Sequence, residues 1–206
     1  EKPTFITLSE TRIADNQINL DYIFKGYKCM QNSSSGTNAK GVCVFYSKSV
    51  EILPESVFND DRGYFTLAVY KIDTNYHVLN VGVYGPPDNS DNFAYSIYES
   101  LIAKFLEIKL LFQCTQYIFS GDFNLHFDAL NKKPKTCHLM RNFFEDHHIF
   151  DFDINDKLYT WHRNGRNRKR SRIDYIFSNI DKLSFYNTWL MADHAQLCAT
   201  FQIGRK

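Results

Sequence analysis

The chain lacks the features that hold secreted and membrane proteins together. No apolar run approaches the roughly 20 residues needed to span a bilayer, and no export-signal pattern opens it. The five cysteines, at 29, 43, 114, 137 and 198, are odd in number, widely spaced and free of CxxC pairs. That argues against a disulfide framework or a cysteine zinc site, and for reduced thiols used mostly as core filler in an intracellular protein. The single sequon Asn32-Ser33-Ser34 is weak evidence against this, because such triplets arise often by chance. Internal repeats, linkers and low-complexity blocks are also missing. Net charge is only +1, which by itself names no partner.

What is present is core material. Of the 206 residues, 44% are hydrophobic and 16% aromatic, with 18 Phe and 13 Tyr, which marks a folded chain long enough for one sizeable core. One domain spanning 1–206 is expected. Charge is distributed unevenly. Six of the 24 basic residues fall in "HRNGRNRKRSR" (162–172), which holds no acid, leaving 18 basic against 23 acidic residues elsewhere. Such a run is usually a solvated loop; its sharper reading is a polyanion contact.

Apolar patterning predicts strands at 4–10, 42–46, 64–72, 76–84 and 117–120, the third and fourth forming a hairpin across "DTN". Residues 18–27 read as a short helix or turn packing aromatic side chains, and 31–41 as a polar Gly/Ser-rich loop. A helix capped by Ser90 or Asp91 carries apolar positions 94, 97, 98, 101, 102, 105 and 106 at helical spacing. A second, over 137–148, puts Leu139, Met140, Phe143 and Phe144 on one face. The end returns to strands at 157–162, 172–179, 184–190 and 197–203. Hairpins combined with two long helices predict an α/β sandwich of two packed sheets flanked by helices.

Several predicted strands end in polar residues. In "YIFSGDFNLHFD" (117–128), strand alternation would place Asp122 and Asn124 on one face and Phe123 in the core, with Gly121 relieving crowding. Glu10 follows the first strand, Tyr84 ends the hairpin, Asp174 lies in "SRIDYIF", and Asp193-His194 lies in "MADHAQL". Each has an ordinary explanation alone: a turn, a helix-start acid, a half-buried aromatic, a satisfied histidine. Together they supply carboxylates for a hard divalent cation, an amide and a phenol that can donate to phosphate oxygens, and a histidine with acids to orient it. Phosphodiester hydrolysis needs that set.

The ordered motifs "LSET", "VYGPP", "SGDFN", "SRIDYIF" and "ADH" resemble those of the endonuclease/exonuclease/phosphatase superfamily, with its DNase I-like, four-layer α/β sandwich, across essentially the whole chain. Within it, "PTFITLSETRI", the loop leading into "GVCVFY", and "VYGPP" are similar to the endonuclease domain of LINE-type (non-LTR) retrotransposons. The resemblance implies that Glu10, assisted by Asp193, binds Mg²⁺ or Mn²⁺, and that Asp122 aligns or deprotonates the attacking water. It also implies that Asn124 and Tyr84 hold phosphate oxygens and that His194, oriented by Asp174, contacts the scissile phosphate. The family places a further strand ending in Asn upstream of the Glu, so the domain is expected to be N-terminally truncated here. Ser9 stands where many members have Gln, and Ala192 where many have Ser.

The basic segment joins "YTW" to "SRID" with Gly165 at its tip, as a β-hairpin would. In retroelement endonucleases a hairpin at this place enters the minor groove, a role that suits arginine. Trp161, Arg163, Arg166, Arg168, Lys169, Arg170, Ser171 and Arg172 are therefore the expected DNA-contacting set. In the abasic-site repair branch an aromatic residue precedes the Arg-Leu-Asp-Tyr-like motif; Ser171 stands there in this chain. The expectation is a target-nicking DNA endonuclease acting on double-stranded DNA in the nucleus, with a reverse transcriptase domain downstream and no membrane partner. The alternatives are an abasic-site or general repair nuclease and a catalytically dead nucleic-acid-binding relic.

Overall fold

A computed structural model describes residues 2–13, 19–32, 40–87, 90–127, 133–152, 159–162, 170–189 and 193–201. In chain order these form β1 (Phe5–Ser9), β2 (Tyr27–Asn32), β3 (Val42–Ser47), β4 (Glu51–Ile52), a 3-10 turn (Pro54–Ser56), β5 (Phe58–Asn59), β6 (Phe65–Lys71) and β7 (His77–Tyr84). Then come α1 (Asp91–Leu111), β8 (Gln116–Asp122), α2 (Pro134–Asp146), β9 (Phe150–Asp151), β10 (Trp161–His162), β11 (Arg170–Ser171), β12 (Asp174–Ser178), β13 (Lys182–Trp189) and β14 (Ala195–Phe201).

The largest sheet runs β4-β6-β7-β8-β12-β9, with β5 also paired to β6. It is mixed. The β6–β7 pair is the antiparallel hairpin expected from the sequence, whereas β7 and β8 are parallel. A parallel pair needs a long crossover, and α1 supplies it. A second sheet, β1-β3-β2, lies against the first, and β13 and β14 form a separate antiparallel pair.

Strand alternation divides the large sheet's side chains between two cores. Leu67, Val69, Leu79, Val81 and Phe119 pack with Ile97, Leu101 and Phe105 of α1 and Met140, Phe143 and Phe144 of α2. On the other face, Ala68 and Tyr70 meet Met30, Val44 and Tyr46 of the smaller sheet. Burying a side chain of this size contributes about 1.5–3 kcal/mol, so these two layers hold the strand ends in place.

Ser90 caps α1 by accepting a hydrogen bond from the Phe93 N–H. Asp91 serves the other helix. Its carboxylate accepts from the N–H groups of Lys135 and Thr136, so it caps the start of α2. The two helices are thereby joined at their N-terminal ends.

Three expectations change. Gln31 and Asn32, read as loop, belong to β2; Asn32 is 1% exposed and donates to the carbonyls of Asp60 and Phe65. Those bonds account for its polarity and also shut the sequon's acceptor inside the protein. Residues 33–39 of that loop lie outside the described residues. Second, the sandwich has three layers among the described residues: helices, large sheet and small sheet. The outer face of the small sheet is covered by the segment around Leu20, Phe24 and Tyr27, with Phe24 edge-on to Phe45. Third, the strand expected at 157–162 is only Trp161–His162 among the described residues. All five cysteines are free thiols.

Candidate active site

Register brings the predicted residues together. Parallel pairing of β7 with β8 places Tyr84 beside Asp122, and antiparallel pairing of β8 with β12 places Asp174 on its other side. Tyr84, Asp122 and Asp174 thus form a row across one end of the large sheet. The small sheet closes over this row through β1. Ser9 Oγ donates to the Val83 carbonyl (2.8 Å) and accepts from the Asp122 N–H (3.0 Å). Gly121 makes the approach possible: with φ at +133°, a Cβ there would sit 2.1 Å from the Val83 carbonyl oxygen.

Asp122 and Asn124 do meet, though not by strand alternation. β8 stops at Asp122, and Asn124 takes a left-handed conformation with φ at 48°, which Asn tolerates better than most residues. The turn folds Asn124 back on Asp122. Its N–H donates to Asp122 Oδ1 (2.8 Å), and its Nδ2 donates to Asp122 Oδ2 (3.1 Å) and to the Gly85 carbonyl (2.9 Å). Asn124 therefore orients Asp122, with its amide hydrogens aimed within the protein. Phe123 is fully buried against Tyr175 and Phe177, as expected from the sequence. Gly85 is required where it stands, because a Cβ would lie 1.9 Å from the Phe123 carbonyl oxygen.

His194 and Asp174 form a pair. The imidazole Nδ1 lies 3.1 and 3.0 Å from the two carboxylate oxygens, which fixes the ring and leaves Nε2 available for a substrate. Thr160 sets Asp174 from behind, its hydroxyl accepting from the N–H groups of Ile173 and Asp174. Burial would by itself lower the His194 pKa. The hydrogen bond and charge of Asp174, with the charges of Asp122 and Asp193, outweigh it and raise the pKa to about 9.

Asp122 is 5% exposed. Burial, followed by the Asp174 charge, pushes its carboxyl up to about 8, against the opposing pull of the Asn124 N–H and His194. Tyr84 is raised above its ordinary value by burial, then by the charges of Glu10 and Asp122, so it remains a neutral phenol and a donor. Glu10 and Arg12 both have positive φ, and the Arg12 guanidinium bonds the Glu10 carboxylate. That carboxylate, 38% exposed, sits at the rim of the site.

The donor set suits a hard divalent cation. Ligand atoms of Asp122, Asp174 and His194 lie within 4.8 Å of one another, and oxygen-rich sets of this kind fit Mg²⁺ or Mn²⁺. Glu10 and Asp193, the expected ligands, are outside that group of three. Glu10 is nevertheless close enough for its charge to act on Asp122, and Asp193 is exposed next to His194.

The cationic hairpin has its stem in place: Trp161 pairs with Ser171 and His162 with Arg170. Arg163, Arg166, Arg168 and Lys169 lie outside the described residues. Arg170 is exposed, with its guanidinium 5.9 Å from the Tyr159 ring centre. Arg172 must be removed from the expected DNA-contacting set. It is 5% exposed, bonds Asp151 at 2.5 Å, and lies 4.6 Å over the Tyr175 ring, so its charge is directed into the protein. The same stem pairs with the catalytic segment: Trp161 bridges His194, and the His162 N–H donates to the Asp193 carbonyl. Ser9 and Thr160 were not recognised from the sequence in these roles, because a lone hydroxyl carries no motif. No helix among the described residues is long and apolar enough to cross a membrane.

Solved structures share this architecture. The endonuclease domain of TRAS1, a telomere-specific non-LTR retrotransposon, is 14% identical, with 89% of this chain and 84% of that one covered and a TM-score of 0.65. The 3′ phosphatase NExo from Neisseria, bound to product DNA hairpin, is 18% identical over 98% and 90%, with a TM-score of 0.63. The APE2 catalytic domain of Xenopus laevis is 18% identical over 96% and 83%, with a TM-score of 0.70. At these identities the likeness shows the DNase I-like fold. No curated protein matches by sequence. The Endonuclease/Exonuclease/phosphatase family matches residues 1–193. With the motif residues gathered at one end of the sheets, this chain belongs to that family of metal-dependent phosphodiesterases and nucleases.

Proposed function

We propose that this chain is a metal-dependent DNA endonuclease of a LINE-type element, which nicks target DNA and leaves a 3′-hydroxyl to prime reverse transcription by a polymerase domain elsewhere in the full-length protein. The observation that carries this reading is the join between hairpin and site. The stem of the arginine-rich segment is bonded to the residues around His194, just before β14, so a duplex held by that segment is delivered to the Asp122–Asp174–His194 group. The likeness to the TRAS1 domain supports the same reading.

In this reading Glu10 and Asp193 would hold Mg²⁺ or Mn²⁺, which when bound would offset charge building on the phosphate. The chain's own residues do the rest. Asp122, held in position by both Asn124 hydrogen bonds, would accept a proton from the attacking water in its carboxylate form. The charge of a neighbouring divalent cation would favour that form over the protonated one that burial favours. The water oxygen bonds to phosphorus as the bond to the 3′-oxygen breaks, and that oxygen leaves as an alkoxide that takes a proton from solvent to become the 3′-hydroxyl. Tyr84 donates to a non-bridging oxygen. His194, kept cationic by Asp174, donates through Nε2 to another.

Trp161, half-buried beside His194, favours a second reading, because an indole there could stack on an exposed sugar or base of damaged DNA. Nicking of supercoiled plasmid with Mg²⁺, beside cleavage of an abasic-site oligonucleotide, separates the two. Plasmid nicking without abasic preference is expected. A strong abasic preference would favour the repair nuclease, and no cleavage of either would leave a binding relic.

A further inference from the structure

Lys133 has no place in the motif set, yet it occupies an unusual position. It stands at the start of α2, is 4% exposed, and points its ammonium at two backbone carbonyls: Pro86 at 2.5 Å and Asn124 at 3.1 Å. Pro86 is two residues past Tyr84, and Asn124 is two residues past Asp122. The two loops that leave the catalytic strands β7 and β8 therefore converge on one cation.

We propose that Lys133 is a positioning residue for the hydrolytic site, acting through Asn124; this rests on the phosphodiesterase function proposed for the chain. Asn124 holds Asp122 with both its N–H and its Nδ2, and that geometry depends on a backbone φ of 48°. In this region a side chain crowds the following carbonyl, so a bond that fixes the carbonyl's direction also fixes the conformation. Lys133 supplies it from the Asn124 carbonyl. Its second bond, to Pro86, holds the neighbouring loop, whose Gly85 carbonyl accepts the Asn124 Nδ2 and whose Gly85 N–H donates to the Asp122 carbonyl.

The ammonium's own anchor is rigid. The first turn of α2 is capped by Asp91 of α1, and the Cys137 N–H bonds the Lys133 carbonyl. Position is thus transmitted from the packed helices to the water-handling carboxylate through one side chain. A hydrogen bond from a charged donor is stronger than a neutral one, and lysine's donors rotate to meet two acceptors that a planar guanidinium would have to meet in its own plane.

The test uses Lys133→Met, which removes the ammonium at nearly constant volume, with two readouts. The first is hydrogen exchange by ¹⁵N NMR: the Asn124 amide should exchange at least tenfold faster than in wild type, while core amides such as Leu79 and Phe119 keep their protection. The second is plasmid nicking: kcat should fall at least tenfold with KM for DNA within twofold, since no DNA contact is removed. A folded Lys133→Met protein with wild-type Asn124 exchange, with kcat within twofold, or with a loss confined to KM would overturn the proposal. Should Lys133→Met not fold, Lys133→Gln is measured instead; its neutral amide is shorter and cannot bridge both carbonyls, and the same criteria decide. If wild type cleaves no DNA, the functional reading fails, and the Asn124 exchange rates decide the role of Lys133 by themselves.

Discussion

Asp122→Asn should disable the enzyme and stabilise the protein, by an amount that grows with pH. In the unfolded chain this carboxyl titrates near 3.8, whereas burial and Asp174 hold it to about 8 in the folded protein. Between those values the folded state retains a proton that the unfolded state has released, so stability falls as pH rises through that window. Asn has the same shape and nothing to ionise, and it escapes this penalty. One pH unit of pKa displacement corresponds to about 1.4 kcal/mol, which puts a ceiling of roughly 6 kcal/mol on the effect. Because the charge is shared with Asp174 and His194, about 1–3 kcal/mol is expected at pH 8, or roughly 2–12 °C in melting temperature for a chain of this size. His194 keeps its main partner, Asp174, in the variant. The assay is melting temperature from pH 4 to 9 in EDTA for both proteins, with plasmid nicking in Mg²⁺ alongside. The curves should meet near pH 4 and separate towards pH 8, with nicking abolished. A constant gap, or a variant less stable than wild type at pH 8, would refute the claim that Asp122 carries a buried-charge penalty.

Asp174→Ala/His194→Ala should lose little more nicking than the worse single variant, since the carboxylate acts through the imidazole it holds at 3.0 Å; strictly additive losses would count against the pair. Arg172→Ala should cost about 2 kcal/mol, less than a fully buried ion pair because Asp151 is 27% exposed. Its DNA affinity should not change, and weaker binding at an unaltered melting temperature would restore Arg172 to the DNA-contacting set. Replacing Arg166, Arg168 and Lys169 with Ala should weaken DNA binding, flatten its log–log salt dependence by up to about one unit per lost phosphate contact, and alter the map of nicks on an A·T-rich plasmid. Unchanged affinity and map would mean that the run is a solvated loop.

The elements that local pattern can specify were legible in advance. The β6–β7 hairpin, the faces of α1 and α2, the Ser90 cap and the burial of Phe123 all follow from residues near one another in the chain. The residue types needed for phosphodiester chemistry could also be picked out, because they stand in or near the ends of predicted strands and within short recognisable motifs. Distance between strands is different in kind. That Tyr84 and Asp174 flank Asp122 depends on which strands pair and in what register, and β7 and β8 are parallel only because α1 crosses between them.

The tertiary fold also decided the roles of three residues that local sequence misassigns or leaves unassigned. Asn124 shares a site with Asp122 through a left-handed turn, where strand alternation had supplied the right neighbour for the wrong reason. Arg172 sits in a run of cations that reads as one surface, but Asp151 and Tyr175, outside that run, draw it inside. Lys133 looks like any lysine before a proline until its two carbonyl partners, 47 and 9 residues away, are seen to be the loops beside the catalytic strands. Local chemistry is written in the order of side chains, but a hydrogen bond or ion pair between distant segments exists only once packing has set its length and removed the competing water.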